Sequence, residues 1–338
     1  MQIVPSKSLN RSLRAAAASK KDEFYTQLPD IERELKHYTK HFENKTVLCN
    51  CDDPKVSNFF YYFSHNFEKL KLKKLITTCY KNCEADLFSQ HTDERGLYLE
   101  YDGDKNANRV PDPEEIGIHK LKGDGDFRSE ESVKLLKQAD IVVTNPPFSL
   151  FREYVEQLMK YKKKFIIIGN QNAIAYKEIF KLFKEGKIWL GPSIHSGDRE
   201  FGVPEYYPLN AAGTRVDSNG NRYVRVKGVR WFTNLDYKER HEDLILYKSY
   251  TKAVYPKFDH YDAINVNKTR DIPMDYRGAM GVPLTFLDKF SPEQFEIIDG
   301  LNRYSILDGP TDETRGKYLA QVNGKATYIR VVIRNRKL

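Results

Sequence analysis

The sequence predicts an α/β protein: a doubly wound, mostly parallel sheet with an inserted or C-terminal region rich in β-structure. Three observations carry that reading. Strand-length runs such as TVLCNCDDP (46–54), DIVVTNPPF (140–148) and KKFIIIGNQNA (163–173) contain unbroken apolar stretches, as strands covered on both faces do. Helical stretches separate them, the strand–helix–strand order of a parallel sheet. After about residue 192 the texture shifts to Tyr, Arg, Gly and Asn, with hairpin signals such as DSNGNRYVRVKGVRWFTNL (217–235).

The elements follow in order. Residues 1–20 read as a flexible basic arm. An amphipathic helix comes next, with Ile31, Leu35, Tyr38 and Phe42 at helical spacing. The first strand leads to SNFFYYFSHNFEKL (57–70), a helix with Ser57 as N-cap, and then to the strand KKLITTCY (73–80). LYLEY (97–101) is a short strand, GDGDFRS (123–129) a turn and SVKLLKQA (132–139) a helix. SLFREYVEQLMKY (149–161) and YKEIFKLFKEGK (176–187) are helices flanking the strand at 163–173, and IWLG is a further strand. Residues 252–280 read as ordered loop, MGVPLTFLDKF as core and SPEQFEIIDGL (291–301) as a capped helix. A hairpin around Asn323-Gly324 closes the chain before a basic tail.

With 338 residues, 40% hydrophobic and 30% charged, the chain is a globular protein of one large or two ordinary domains. No apolar run reaches the roughly 18 residues of a membrane span, and the basic start lacks an apolar signal core. Lys and Arg outnumber Asp and Glu by 55 to 47, a net charge of +8 that favours a polyanionic partner. Cys49, Cys51, Cys79 and Cys83 fit zinc poorly, because C-x-C is not the usual ligand spacing; reduced, buried thiols of a cytoplasmic protein suit them better.

Asn145-Pro146-Pro147-Phe148 stops a core strand stiffly, since two prolines remove two backbone donors. Ligands of open parallel sheets bind at carboxyl strand ends, where this stretch falls. The Asn145 side chain and the Pro146 carbonyl offer two acceptors in fixed geometry, which suit an NH2 group, and Phe148 offers a flat face for a planar base. An adenine, a cytosine or a glutamine amide carries such an amine. Accepting both its hydrogens frees the nitrogen lone pair for an electrophile such as a sulfonium methyl group. Catalysis of that kind rests on positioning and hydrogen bonding.

Asp/Asn-Pro-Pro-Tyr/Phe after a sheet strand resembles motif IV of S-adenosylmethionine-dependent amino-methyltransferases. DEFYTQ (22–27), VLCNCDDP (47–54) and GDGDFRS occur in the order of that group's cofactor motifs. Longer strings, CNCDDPKVSNFF, GVRWFTNLD and MGVPLTFLDKFSPEQFEI, are similar to the EcoRI-type DNA adenine methyltransferases, a resemblance across most of residues 20–335. It implies the class I S-adenosylmethionine-dependent methyltransferase fold and a site-specific DNA-methyltransferase acting on the exocyclic amine of adenine. Double-stranded DNA is then the partner and S-adenosyl-L-methionine the cofactor, with no metal. The setting implied is a monomer in a bacterial or phage restriction-modification system, alongside a cognate endonuclease, in the cytoplasm.

The resemblance also implies site residues. Tyr25 and Thr26 would lie near the methionine carboxylate, Asp126 and Phe127 at the cofactor's adenine, and Asn145 beside both substrates. The glycine motif usual after the first strand is absent; Asp52, Asp53 and Pro54 stand there, with an acid for the cofactor's ammonium group. The second strand ends without an acid for the ribose, leaving Tyr80, Glu100 or Asp102. Residues 21–192 are then the catalytic domain, 193–285 the DNA-recognition region, and 286–338 a helix and hairpin completing or covering the core.

An adenine inside a duplex must be flipped out to be reached. Arg225 and Lys227 alternate with valines on one strand face and are candidate DNA contacts together with Arg230. Trp231 and Phe232 could wall the flipped-base pocket. RNA adenine, a protein glutamine, or a catalytically silent DNA-binding module on the same scaffold remain open alternatives. The recognised bases are not legible.

Overall fold

The computed structural model describes residues 24–51, 57–79, 96–108, 111–195, 197–205, 207, 209 and 213–338. The basic arm 1–20, Asp52, Asp53, Pro54, Tyr80 and Cys83 lie outside them. Two compact units emerge: Met1–Asn170 with Gly197–Leu235, and Gln171–Ser196 with Asp236–Leu338. This division cuts across the spans drawn from the sequence, because strands after residue 197 are hydrogen-bonded into the first unit.

The first unit opens with β1 (Tyr25–Thr26), α1 (Leu28–Leu35) and a 3-10 segment (Lys36–His41). Ile31, Leu35, Tyr38 and Phe42 are all fully buried. β2 (Thr46–Cys49) is followed by α2 (Asn58–His65) and α3 (Phe67–Leu70), and Ser57 Oγ caps α2 by accepting from the Phe60 amide. β3 (Lys74–Cys79), β4 (Leu97–Tyr101), β5 (Gly117–Lys120), α4 (Glu130–Gln138), β6 (Ile141–Thr144), α5 (Phe151–Lys160) and β7 (Lys164–Asn170) complete its first stretch. In the second unit, α6 (Lys177–Lys184) and β8 (Trp189–Leu190) come next. The chain returns to the first unit with β9 (Asp198–Val203), β10 (Thr214–Val216), β11 (Arg222–Lys227) and β12 (Val229–Thr233).

The main sheet of the first unit runs β5-β4-β3-β2-β6-β7-β12. Only its centre is parallel: β2 pairs parallel with β3 and β6, and β6 with β7. β4, β5 and β12 are antiparallel to their neighbours, so the sheet is mixed rather than mostly parallel. Strand direction depends on how each connection returns, and a five-residue strand such as LYLEY carries no sign of it. A second sheet, β1-β9-β11-β10, is antiparallel throughout. Hairpin chemistry at Asn219-Gly220 joins β10 to β11, whereas β12 leaves for the main sheet.

In the second unit, β13 (Lys257–Phe258), β14 (Tyr261–Asn265), β15 (Met280–Pro283), β16 (Phe295–Leu301) and β19 (Arg330–Asn335) form a sheet ordered β13-β14-β15-β19-β16. β17 (Gln321–Val322) and β18 (Lys325–Ala326) form the expected hairpin at Asn323-Gly324. Two expectations change here. Residues 252–280 contain two strands rather than loop alone. SPEQFEIIDGL holds β16 instead of a helix, with Phe295, Ile297 and Asp299 buried at alternate positions. Apolar residues two and three apart satisfy either period in so short a run, and pairing with β19 decides it. No helix among the described residues is long and apolar enough to cross a membrane.

Candidate active site

β6 is buried at every position and lies between β2 and β7. Its last registered residue is Thr144, opposite Ile167, so Asn145 and Pro146 emerge beyond the ladder. Asn145 is only 5% exposed; Pro147 and Phe148 are half-buried and start the 3-10 turn that leads into α5. Asn145 Nδ2 donates to the Phe24 carbonyl at 2.6 Å. Its Oδ1 is buried and accepts from no described group. The amide is therefore fixed in one orientation, donor end inward and acceptor end free.

The Phe24 carbonyl comes from the segment entering β1, a strand of the second sheet, whereas Asn145 follows β6 of the main sheet. Tyr25 pairs with Gly202 and Thr26 with Phe201 of β9, and the Thr26 carbonyl accepts from Asn58 Nδ2 of α2 at 2.7 Å. Phe24 gathers rings around this point: Phe148 and Phe201 at 5.7 Å and Tyr207 at 6.2 Å between centroids. Neighbours on a strand face opposite ways, so Tyr25 and Thr26 present to different sides. Thr26 Oγ1 is buried without a partner, a second orphaned polar atom, two residues along the chain from the carbonyl that holds Asn145. A buried polar atom without a partner is unfavourable and calls for a ligand group.

Asn50, just past β2, ties the rest together. Thr144 Oγ1 donates to its carbonyl and the Tyr154 hydroxyl to its Oδ1. Burial pushes the Tyr154 hydroxyl well above the ordinary tyrosine range, which keeps it a protonated donor. The Phe127 ring packs edge-on against Tyr154 at 5.0 Å, and Gln157 Nε2 donates to the Phe127 carbonyl at 3.0 Å. Thus the turn at 123–129, the end of β2 and the end of β6 converge through two α5 side chains.

Asp126 is engaged within its own turn. Its carboxylate accepts from Arg128 Nε at 2.9 Å and Nη2 at 2.7 Å, and Arg128 reaches Glu153 at 3.1 Å. Asp126, ahead of the other contacts, holds the guanidinium more firmly protonated. The ribose candidates are also engaged: Glu100 pairs with Lys74 at 3.1 Å and Asp102 with Lys105 at 2.9 Å. The hydrogen bond from Lys105 keeps the Asp102 carboxyl below its ordinary range. Cys49 and Cys51 are not disulfide-bonded, and no cluster of metal-ligating side chains occurs among the described residues.

The recognition candidates separate into two sets. Arg225 and Lys227 are exposed on β11 while Val224 and Val226 are buried, the alternation read from the sequence. Glu200 and Asp198 lie across from them on β9, and Arg215 of β10 binds Glu200 through both nitrogens at 2.8 and 2.5 Å. Arg230, Trp231 and Phe232 need correction, for all three are buried in β12. Trp231 meets Phe59 edge-on at 6.2 Å and Phe232 packs 4.8 Å from Phe151. A strand covered on both faces supplies core, not pocket wall. Phe24, Asn50 and Tyr154 were missed as site residues; only Asn50, a polar residue at a strand end, carried a readable signal.

An orphaned amide oxygen after a parallel strand, backed by an aromatic cluster, is an arrangement able to receive an amine N–H. The family model for the EcoRI adenine-specific methyltransferases matches residues 12–336, and the chain belongs to that family. It is 52% identical to the Type II methyltransferase M.EcoRI of Escherichia coli over 331 residues, 97% of this chain and 98% of that protein. The Type II methyltransferases M.MgeORF184P of Mycoplasma genitalium and M.MpnI of Mycoplasma pneumoniae are 41% and 40% identical, over 96% and 95% of this chain and 98% and 97% of theirs. No solved structure shows significant similarity. The chain is an adenine-specific DNA methyltransferase of the restriction-modification class.

Proposed function

We propose that the chain transfers a methyl group from S-adenosylmethionine to the N6 amine of an adenine flipped out of duplex DNA, on a doubly wound class I methyltransferase scaffold. One observation carries this reading: Asn145 is buried, its Nδ2 is spent on Phe24, and its Oδ1 has no partner. A substrate N–H satisfies that oxygen, and the Pro146 carbonyl beyond the β6 ladder receives the amine's second hydrogen. Holding both hydrogens draws the nitrogen toward a pyramidal shape and frees its lone pair. Phe148, braced by Phe24 and Phe201, is the stacking face for the base. As the carbon–nitrogen bond forms, the donor's carbon–sulfur bond breaks to leave a neutral thioether, and one of the two amine protons then passes to water.

S-adenosylmethionine supplies a methyl group activated on a sulfonium. The residues fit such a group: Thr26 brings an unpartnered buried hydroxyl and Phe127 an aromatic face fixed by Tyr154. Tyr25 and Thr26 would hold its methionine end, with Asp52, Asp53 and Pro54 next to β2 in sequence. Asp126 serves by fixing the turn through Arg128. Arg225 and Lys227 supply phosphate contacts. The enzyme, bacterial or phage-encoded, acts as a monomer in the cytoplasm, beside a cognate endonuclease.

Tritiated S-adenosylmethionine with mixed-sequence duplex DNA tests the reading, and label should appear in N6-methyladenine. A folded protein that leaves adenine unlabelled sinks it. Sequencing DNA from expressing cells then reads the site.

A further inference from the structure

Arg330 opens β19 in the second unit and is 6% exposed. Its hydrogen bonds all go to neutral oxygens: Nε to Asn265 Oδ1 at 3.1 Å, Nη1 to the Tyr328 carbonyl at 3.2 Å and to the Ile329 carbonyl at 3.4 Å. It forms no ion pair among the described residues. Nη2 bonds to no described group and is not one of the sealed polar atoms, so it reaches solvent. Burial alone lowers the guanidinium's hold on its proton, with no acid opposing. Other arginines of the second unit show the contrast: Arg240 lies on Asp236 and Arg334 on Glu296.

A buried cation without a counter-ion is unfavourable, and native proteins pair or ligate such charges. Here the Asn265 amide, itself 5% exposed and donating to Asn267 Oδ1 at 2.9 Å, orients the guanidinium from one side. The Tyr328 and Ile329 carbonyls hold it from another. The remaining edge is preorganised for an oxygen anion. Tyr328, 88% exposed, adds a ring at the same turn, and Lys325 is exposed two residues before Thr327. A cation and a tyrosine hydroxyl together suit a nucleic-acid backbone phosphate better than a carboxylate ligand.

We infer that Arg330, oriented by Asn265, binds a backbone phosphate of the DNA substrate, a contact made by the second unit. This rests on the duplex-DNA reading above. A phosphate contact releases a counter-ion, so its loss lowers the slope of log affinity against log salt by about one.

Fluorescence anisotropy of the full chain with labelled duplex, over a salt series, measures that slope. Arg330→Gln is expected to lower it by about one, equally for cognate and unrelated duplexes, while Arg330→Lys retains it. Asn265→Asp installs a carboxylate at Nε without deleting the arginine. It gives the buried charge a partner but takes the hydrogen from Asn267 Oδ1, so Tm should change little, and the slope should still fall by about one. This second variant decides the matter if Arg330→Gln fails to fold. A wild-type slope in Asn265→Asp overturns the phosphate site and leaves Arg330 a fold-stabilising residue. Inorganic phosphate that raises Tm as duplex does, with slopes unchanged in the variants, overturns the DNA assignment in favour of a free anion. A folded wild-type chain without duplex binding defeats the substrate reading and this site with it.

Discussion

Asn145 Nδ2 donates to the carbonyl of Phe24, 121 residues earlier in the chain, and that bond leaves the amide oxygen as the free end. The relationship assigns the two ends of an amide that a sequence cannot distinguish. Asn145→Ala should therefore lower turnover at least about 100-fold, the scale of losing one preorganised polar group, with cofactor affinity nearly unchanged. Asn145→Asp should also lose activity, since a carboxylate has no hydrogen to give Phe24. Single-turnover methyl transfer and calorimetry read the two effects separately. Near wild-type turnover in Asn145→Ala would refute the mechanism.

Tyr154→Phe removes the hydroxyl that serves Asn50 Oδ1. The buried acceptor it leaves is expected to destabilise the fold by about 1–3 kcal/mol. Because the ring that backs Phe127 is kept, S-adenosylmethionine affinity should change little. Urea denaturation and calorimetry check the pair. Unchanged stability would mean that Asn50 is satisfied in another way.

Gly169 in β7 allows α5 to approach. A Cβ there would stand 2.4 Å from Phe151 Cε2 and 2.7 Å from Cζ, and Phe151 is a buried ring. Gly169→Ala should cost about 1–3 kcal/mol through overpacking. Phe151→Leu should absorb part of that clash. A double-mutant cycle with no coupling would place the strain elsewhere.

Arg225→Ala with Lys227→Ala should weaken binding to every duplex alike and lower the salt slope by about two, with Tm preserved. Trp231→Ala should instead unfold the protein early, by about 3–5 kcal/mol, because it empties a core site. Anisotropy and thermal denaturation separate surface from core; a Tm unaffected by Trp231→Ala would contradict the burial of β12.

His241 bonds to Glu293 at 2.9 Å and Asp236 at 2.8 Å. Glu293 first, then Asp236, raise its pKa above the ordinary 6.5. A raised value means the folded state holds the proton more tightly. The stabilisation is thus complete below about pH 6.5 and disappears as pH rises through the higher folded value. Its two acids are held low, so they ionise well below that window. The stability gap between wild type and His241→Ala should be larger at mildly acidic than at alkaline pH. An equal gap at both would remove the ion pairs as its cause.

Much of this was legible. The apolar runs of β2, β6 and β7 marked the central strands, and the helix spacing of Ile31, Leu35, Tyr38 and Phe42 marked a buried face, because period reports burial directly. Asn145-Pro146-Pro147-Phe148 stood out since prolines end a ladder whatever surrounds them. The antiparallel edges, the strand at Phe295–Leu301 and the buried fate of Trp231 were not legible, because short runs satisfy several patterns and partners choose among them.

The sequence by itself determined the chemistry: an amide and two prolines at a core strand end, with an aromatic beside them. Only the tertiary structure decided which atom of that amide is free and which aromatics are core. It also left Arg330 buried with neutral partners. Hydrogen-bond partners distant in sequence set atom roles, and local pattern does not encode them.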